Sequence, residues 1–549
     1  MKKNKIPLDG IAGLKQNLSS DALSGFLVFL LALPLSLGIA QASDFPAVYG
    51  LVTAMIGGVV VSLLAGSPLT IKGPAAGLIV IVAGAVAELG QGNSELGWKL
   101  ALGAIVVAGF IQILFGVIKL GSFSDFFPLS AVHGMLAAIG IIIMSKQLHV
   151  LAGMNPVTHD GKPMFEPIEL LIELRHTFAH FFEHKNVAVI GLVSLAIVFG
   201  WPMIPSKTIK KIPSALVVLM VAIPLAKWLG VVNVPEIKDA SGAIIQKAFS
   251  PLLSFKQGLE DIVGVRVSFE GFSQTGSFIK YVIMFALVGS LEALLTVKAI
   301  DLLDPFRRRS NTNKDLIALG IGNVIAGVMG GLPMISEVAR SSANVSNGGK
   351  TRWSNFFHGF FILLFLVFAV NFSDIIPKSA LAAMLIGVGW KLAHPREFGH
   401  LAKIGTDQIV VFITTIIITL STDLLIGIAS GILLKLILHL SREVPFRRLF
   451  VPDFQIKDNT IKVFEAAVFG NFIPIKRKIL SYSYTSHLTL DFRDCFFIDH
   501  TVIESLHHLK DDFQNEGGSL KILGIEDFKP MSNHPLASRR KKRNIKPSH

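Results

Sequence analysis

Two ionisable side chains stand where charge is costly. Glu292 lies in Gly289-Ser290-Leu291-Glu292-Ala293-Leu294-Leu295-Thr296, deep in an apolar run, and Thr296 follows one helical turn later on the same face. A carboxylate with a hydroxyl one turn away suits a proton or an oxygen-liganded sodium ion, and an ionisable group in lipid is a functional candidate by default. Arg340 falls in a second, more polar segment that opens after Leu332-Pro333. Its guanidinium must face an anion, Glu292 or water; a Glu292–Arg340 pair that merely holds the bundle together is the structural alternative. His133, Gln112 and His358 read as helix–helix hydrogen bonding, and Lys146 as a lysine snorkelling at a helix end. The single cysteine, Cys495, excludes a Cys-based zinc or iron–sulfur site. No nucleophile–base pair or phosphate loop stands out, so an enzyme is not expected. No cofactor is expected either, beyond a coupling ion: a proton, or sodium at Glu292 and Thr296.

The elements that must position these groups follow from composition. Of 549 residues only 16% are charged, against about 25% in a soluble domain, mean hydropathy is +0.60, and there are forty Phe against four Tyr. A polytopic, all-α membrane protein fits these numbers; a soluble or disordered chain does not. The net charge of +13 reads as a positive-inside bias rather than a nucleic-acid surface, so no nucleic-acid partner is expected. Apolar runs of spanning length lie at 21–40, 45–66, 73–89, 98–118, 128–151, 187–204, 212–232, 276–299, 314–331, 333–348, 353–371, 374–392, 406–421 and 422–440. The run after Asp21 reads as a retained span, not a signal peptide. The runs at 73–89 and 333–348 are poor spans, each opening with a proline turn (Gly73-Pro74, Leu332-Pro333). An amphipathic stretch at 166–184 is expected at the interface. Lys and Arg cluster in alternate short loops (Lys207, Lys210 and Lys211; Arg307, Arg308, Arg309 and Lys314; Lys350 and Arg352; Arg396 and Lys403). That bias, with an even number of spans, puts both termini in the cytoplasm of a plasma or inner membrane.

The template Gly57-x8-Gly66-x-Pro68 recurs as Gly322-x8-Gly331-x-Pro333, offset by 265 residues. The offset encloses seven spans, so the second copy enters the membrane inverted. Two inverted repeats of seven, about 21–232 and 276–440, each with a broken helix at the same place, are the layout of secondary transporters. Two half-helix N-termini meeting near the midplane gather unpaired N–H groups and two positive dipole ends, which suits an anion. The facing turns are Pro74-Ala75-Ala76-Gly77 and Ser336 to Ser342.

The chain outside the spans divides simply. Residues 1–20 form a cytoplasmic N-terminus, 21–440 the transmembrane domain, 441–451 a basic linker, 452–531 a small α/β module and 532–549 a basic, solvated tail. Within the module, Thr460–Phe464, His487–Phe492 and Ser519–Leu523 alternate as strands, and Thr501–Phe513 has helical spacing.

Taken together, these segments resemble the SulP (sulfate permease) family of inorganic-anion transporters. The resemblance is carried by Gly331-Leu332-Pro333 through Ala339-Arg340-Ser341, by Gly348-Gly349-Lys350-Thr351, by Ala32 to Ala40, and by Ile71-Lys72-Gly73-Pro74. The C-terminal module resembles a STAS domain, with Asp499 and Thr501 at its motif and Val502 where a glycine would stand. The resemblance implies secondary transport of a small anion, sulfate or bicarbonate, by an elevator in which a core (spans 1–4 and 8–11) moves against a gate (spans 5–7 and 12–14). It also implies a homodimer with interacting cytoplasmic modules. The implied anion site comprises Leu35 and Ile39, Ala75, Glu292, and Ala339 with Arg340, with Ala76, Ser336, Ser341 and Ser342 as further candidates from the two turns. Glu292-x-x-x-Thr296 resembles the sodium pair of the bicarbonate-transporting branch. Two alternatives stay open: a nucleobase transporter of the same fold, using carboxylates such as Glu292 and Glu337 on spans 8 and 10, and a non-transporting membrane sensor that signals through the C-terminal module.

Overall fold

The structure, a computed structural model, describes residues 6–122, 127–154, 164, 167–179, 181, 184–206, 212–231, 237–238, 244–246, 250–253, 264–368 and 375–541. The expected loop lysines Lys207, Lys210 and Lys211 and the end of the basic tail lie outside them. Each of the fourteen apolar runs contains a helix. Long, lipid-length helices are α1 (Gly10–Ala42), α4 (Ser94–Val117), α5 (Leu129–Leu151), α7 (Lys185–Met203) and α9 (Thr275–Leu303). Shorter apolar helices are α2 (Val48–Leu64), α3 (Ala76–Gly90), α8 (Ser214–Trp228), α12 (Trp353–Phe368), α15 (Thr406–Ser421) and α16 (Leu424–Leu440). Helices α10 (Thr312–Val328) and α13 (Lys378–Leu392) complete the apolar set, and α11 (Val338–Ser346) is the polar one. The amphipathic stretch forms α6 (Pro167–Ala179), and a second amphipathic helix, α14 (Pro395–Ile404), follows α13. The chain is fixed locally by side-chain caps: Asp9 accepts from Gly10, Asn93 from Leu96 and Asn311 from Lys314.

The two poor spans are the exceptional elements. Each consists of a three-residue strand and a helix that starts immediately after it: β1 (Lys72–Pro74) leads into α3, and β4 (Met334–Ser336) leads into α11. (A small hairpin, β2 at Ile237–Lys238 and β3 at Ile244–Gln246, lies between them in sequence.) β1 and β4 pair antiparallel, Lys72 with Ser336, Gly73 with Ile335 and Pro74 with Met334. The strand starts are 262 residues apart, three fewer than the glycine–proline template. The template tracks the ends of the preceding helices, and strand pairing sets its own register.

Two compact units emerge. One comprises residues 1–121 and 139–392, the other 122–138 and 393–549. In the first, Lys146 reaches the short loop that follows α1. Its ammonium donates to the Ala42 carbonyl (3.1 Å) and to Asp44 (3.0 Å), anchoring α5 to the end of α1.

In the second unit, α15 and α16 group with a C-terminal α/β domain. Its strands are β5 (Phe454–Lys457), β6 (Thr460–Val463), β7 (Glu465–Ala467), β8 (His487–Asp491), β9 (Cys495–Ile498), β10 (Ser519–Leu523), β11 (Lys529–Pro530) and β12 (Arg539–Arg540). They form sheets of order β10-β8-β6-β5 and β11-β12-β9-β7. Helices α17 (Phe472–Leu480) and α18 (His500–Asn515) close a core that includes Ile461, Leu490, Phe492, Val502, Leu506 and Phe513. The domain runs past residue 531. Arg539 and Arg540 pair with Ile498 and Phe497, and Ala537 is fully buried, so this part of the expected solvated tail is sheet.

Candidate functional site at the crossing of two broken helices

Strand pairing dictates the geometry of the site. Because β1 and β4 run antiparallel side by side, α3 and α11 start from adjacent points; Ala75 N–H donates to the Pro333 carbonyl (3.1 Å) and Glu337 N–H to the Ile71 carbonyl (2.9 Å). A buried cation fixes the crossing. Lys72, fully buried on β1, donates to Asp315 (2.7 Å), Ser336 (2.6 Å) and Thr70 (2.8 Å), and Asp315 also accepts from the Ser67 N–H. All three lysine protons are satisfied, as a desolvated ammonium requires.

Side-chain amides do the rest. Asn323 on α10 brackets Met334 of β4, accepting from its N–H (2.6 Å) and donating to its carbonyl (3.3 Å), and also donates to Gln112. Gln112 therefore acts as the helix–helix hydrogen bond expected of it. Asn344 ties α11 to the Leu69 carbonyl and to Ser24 of α1. Asp21 collects the Lys350 and Thr351 N–H groups and the Thr351 hydroxyl, which gives the Gly348-Gly349-Lys350-Thr351 motif a structural task.

The charged groups left over converge here without being satisfied. Arg340 has no exposed surface, and none of its three guanidinium nitrogens has a hydrogen-bond partner. It reaches the backbone of Gly73, where any Cβ would collide with it. Glu292 on α9 lies under the first turn of α3, where a Cβ at Gly77 would collide with its carboxylate; its Oε2 is buried and unpartnered. No ion pair joins Glu292 to Arg340, so the purely structural pairing is not formed. Thr296 is buried one turn beyond Glu292. His358 on α12 is fully buried and neither ring nitrogen has a hydrogen-bond partner; the expected helix–helix hydrogen bond is absent.

The other candidates separate. Leu35 and Ile39 are buried on α1, which packs against β1 and α11, and Ala75 and Ala76 open α3 at the crossing. Ala339 is exposed in the first turn of α11. Ser336 and Ser341 do not offer free hydroxyls: Ser336 is held between Lys72 and Asp315, and Ser341 accepts from the Ile71 N–H while donating to the Glu337 carbonyl. Both serve the strand crossing because they sit on its inner edge. Glu337 was a candidate only for the alternative substrate, yet its backbone N–H is one of the two hydrogen bonds that tie the helix starts together. Lys72 and Asp315 were missed altogether, although two opposite charges at the edges of apolar runs are a readable signal.

The remaining expected sites lie in the second unit. His133 meets Glu397 (3.4 Å), a contact between elements as expected. Asp499 is buried and caps α18, accepting from Val502 (2.8 Å) and from Phe469 (2.8 Å). His439 of α16 lies 3.6 Å from it, and burial raises the Asp499 carboxyl above the usual range. The Thr501 hydroxyl is buried without a partner. A phosphoryl group has no open approach to it in this arrangement.

Residues 18–415 match the model of the sulfate permease family. The chain belongs to that family. It is 25% identical over 456 residues to the bicarbonate transporter BicA of Picosynechococcus, covering 82% of this chain and 75% of that one. It is 23% identical over 532 residues to the sodium-independent sulfate anion transporter of Bos taurus, covering 93% and 84%. The solved overall structure of SLC26A9 superposes with a TM-score of 0.64 at 17% identity, over 93% of this chain and 85% of that one, which speaks to the fold alone. These relatives are transporters, not enzymes.

Proposed function

We propose that this chain carries a small inorganic anion, sulfate or bicarbonate, across a plasma or inner membrane as a secondary transporter. The observation that carries this reading is the Arg340 guanidinium: fully buried, unpartnered, and placed where two helix N-termini start side by side. An uncompensated buried charge costs several kcal/mol, so a site that keeps one is built to have it met by a ligand. Backbone N–H groups of the α3 and α11 turns complete the anion's surroundings. Glu292, with Thr296, carries the coupling charge for sodium or a proton, the alternative being anion exchange. An elevator movement of the crossing, a homodimer, cytoplasmic termini and a STAS role for the C-terminal domain complete the proposal on the family resemblance.

The test is uptake of labelled sulfate and bicarbonate into proteoliposomes, with and without sodium and with and without a pH gradient. Arg340→Ala should weaken anion binding by about 1.5–3 kcal/mol, the worth of a charge-assisted hydrogen bond. Arg340→Lys should recover only part, because a point charge cannot reproduce the planar fork. Wild-type affinity in the Ala variant would remove Arg340 from the site. A second reading, a nucleobase transporter, is favoured by one observation: Glu292 lies under the first turn of α3 and Glu337 immediately precedes α11, which puts a carboxylate residue at each of the two helix starts. Competition of anion uptake by uracil or xanthine would support it; the absence of competition would reject it.

A further inference from the structure

The chain leaves its last apolar helix through a turn that keeps it close to the helix end. On α16, Ile426, Leu433, Ile437 and Leu440 recur at helical spacing and are exposed, whereas Gly427, Gly431, Lys435 and His439 on the opposite face are buried. A span presents such an exposed apolar stripe to lipid. After Leu440, Glu443 takes a left-handed turn (φ 67°). Its N–H donates to the Leu440 carbonyl (2.9 Å), and the Val444 N–H donates to the His439 carbonyl (3.3 Å). Val444 is thereby tied to the helix end, and Phe446 stands two residues on, at most about 7 Å farther along the chain. One headgroup layer is about that thick.

The linker that follows has two faces. Inward, Val444 and Leu449 are buried with Ala466, Val468, Phe496 and Phe497 of the C-terminal domain. Arg448 pins it there: its side chain donates to Asp453 (2.5 Å) and Glu465 (2.8 Å), and its carbonyl accepts from the Asn471 amide (2.5 Å). Outward, Phe446, Phe450 and Val451 are 69%, 50% and 45% exposed, and the two rings meet edge to face at 5.8 Å. Arg447, between the two phenylalanines, is exposed as well. With Leu449 and Arg448 fixed, the rings cannot turn into the domain core. Single exposed apolar side chains such as Ile456 and Met531 are ordinary on a wet surface. Paired phenylalanines with a valine and an arginine, next to a span, have the composition of a segment that lies in a membrane interface.

We infer that this linker is a membrane-contact surface: Phe446, Phe450 and Val451 enter the headgroup–acyl boundary of the leaflet at the end of α16, and Arg447 meets lipid phosphate. Continuity with the lipid-facing stripe of α16 names the occupant, because the patch begins within one headgroup layer of the residue tied to that helix. Arginine adds a preference for anionic lipid, an attraction that a zwitterionic surface lacks. One short turn then grips the C-terminal domain with Leu449 and the bilayer with Phe446 and Phe450. It seats that domain against the membrane, whichever anion the protein carries.

The experiment is spin labelling of the full-length protein in nanodiscs of phosphatidylcholine, with and without phosphatidylglycerol. Cys495 is the one cysteine of the sequence and is buried, so a nitroxide on an introduced cysteine is read alone. Leu440→Cys supplies the lipid reference, and Gln455→Cys, exposed on β5, supplies the water reference. Collisions of each label with oxygen, which partitions into lipid, are compared with collisions with a water-soluble nickel chelate. Labels at Phe446→Cys and Phe450→Cys should show an oxygen-to-nickel ratio several-fold above that of Gln455→Cys and close to that of Leu440→Cys. Phosphatidylglycerol should raise the ratio further, and Arg447→Gln should abolish that rise. Melting temperatures identify damaged variants, and Val451→Cys reports on the same face if either phenylalanine variant melts low. Ratios equal to the Gln455→Cys value in folded variants would overturn the proposal. Labels shielded from both reagents would also overturn it, since a protein surface such as a second copy of the chain would then cover the patch. A phosphatidylglycerol effect that survives Arg447→Gln would remove the arginine from the contact.

Discussion

Removing one member of the Lys72–Asp315 pair tests whether the strand crossing depends on a buried charge. Lys72→Met leaves Asp315 buried, still accepting from Ser67 but stripped of its 2.7 Å ion pair, and removes a donor from Ser336 and Thr70. Asp315→Asn leaves an ammonium with no carboxylate and no exposed surface. Breaking one side of a buried pair costs about 3–5 kcal/mol, because the partner's desolvation stays while its compensation goes. At roughly 2 °C per kcal/mol, the figure for large domains, each single variant should melt about 6–10 °C lower. The double variant should cost clearly less than the two singles together, with a coupling energy of about 2 kcal/mol or more. Fluorescence-detected size-exclusion of detergent-solubilised protein after heating measures all four melting points. Single variants that each melt within about 2 °C of wild type, or strictly additive losses, would refute the reasoning.

Glu292→Gln should fold normally and lose sodium or proton dependence of uptake, or concentrative uptake altogether; wild-type ion dependence in that variant would remove Glu292 from coupling. Gly77→Val should abolish transport while sparing expression, since its side chain displaces the Glu292 carboxylate from beneath α3; uptake at the wild-type rate would mean that the carboxylate's position is immaterial. Asp499→Ala should destabilise the C-terminal domain by about 0.5–2 kcal/mol through loss of the α18 cap, read as the melting transition of that domain in the full chain. Burial pushes the His500 imidazole down to about 4 from 6.5, with Nδ1 donating to the Leu536 carbonyl. The folded state therefore resists a proton that the unfolded state takes up, so stability falls as pH drops from 6.5 to about 4 and changes little above. The loss has a ceiling of roughly 3 kcal/mol, at about 1.4 kcal/mol per pH unit, lowered by the Glu504 carboxylate 3.3 Å from Nε2. His500→Gln should flatten that window in thermal melts taken between pH 4 and 7.

The sequence by itself determined which stretches enter the membrane and where they break. Lipid solvates no backbone, so apolar length reports spans directly, and proline at Pro74 and Pro333 reports where a helix cannot start earlier. It also isolated Glu292, because an ionisable group in an apolar run is legible without a partner, and Arg340, because a cation follows the proline turn of a span too polar to cross lipid unaided. Tertiary structure alone decided what those groups face. The β1–β4 register is a long-range pairing, and the strands start 262 residues apart, three fewer than the glycine–proline template, because helix ends and strand pairs answer to different neighbours. That register turned Ser336 and Ser341 inward to Lys72 and Ile71, set the Glu337 N–H on the Ile71 carbonyl, and left Arg340 and His358 without hydrogen-bond partners. The ordering of Arg539 and Arg540 into a sheet has the same origin. Local charge predicts a solvated end, and only the sheet, with β9 on one side and β11 on the other, supplies the strand neighbours that hold them.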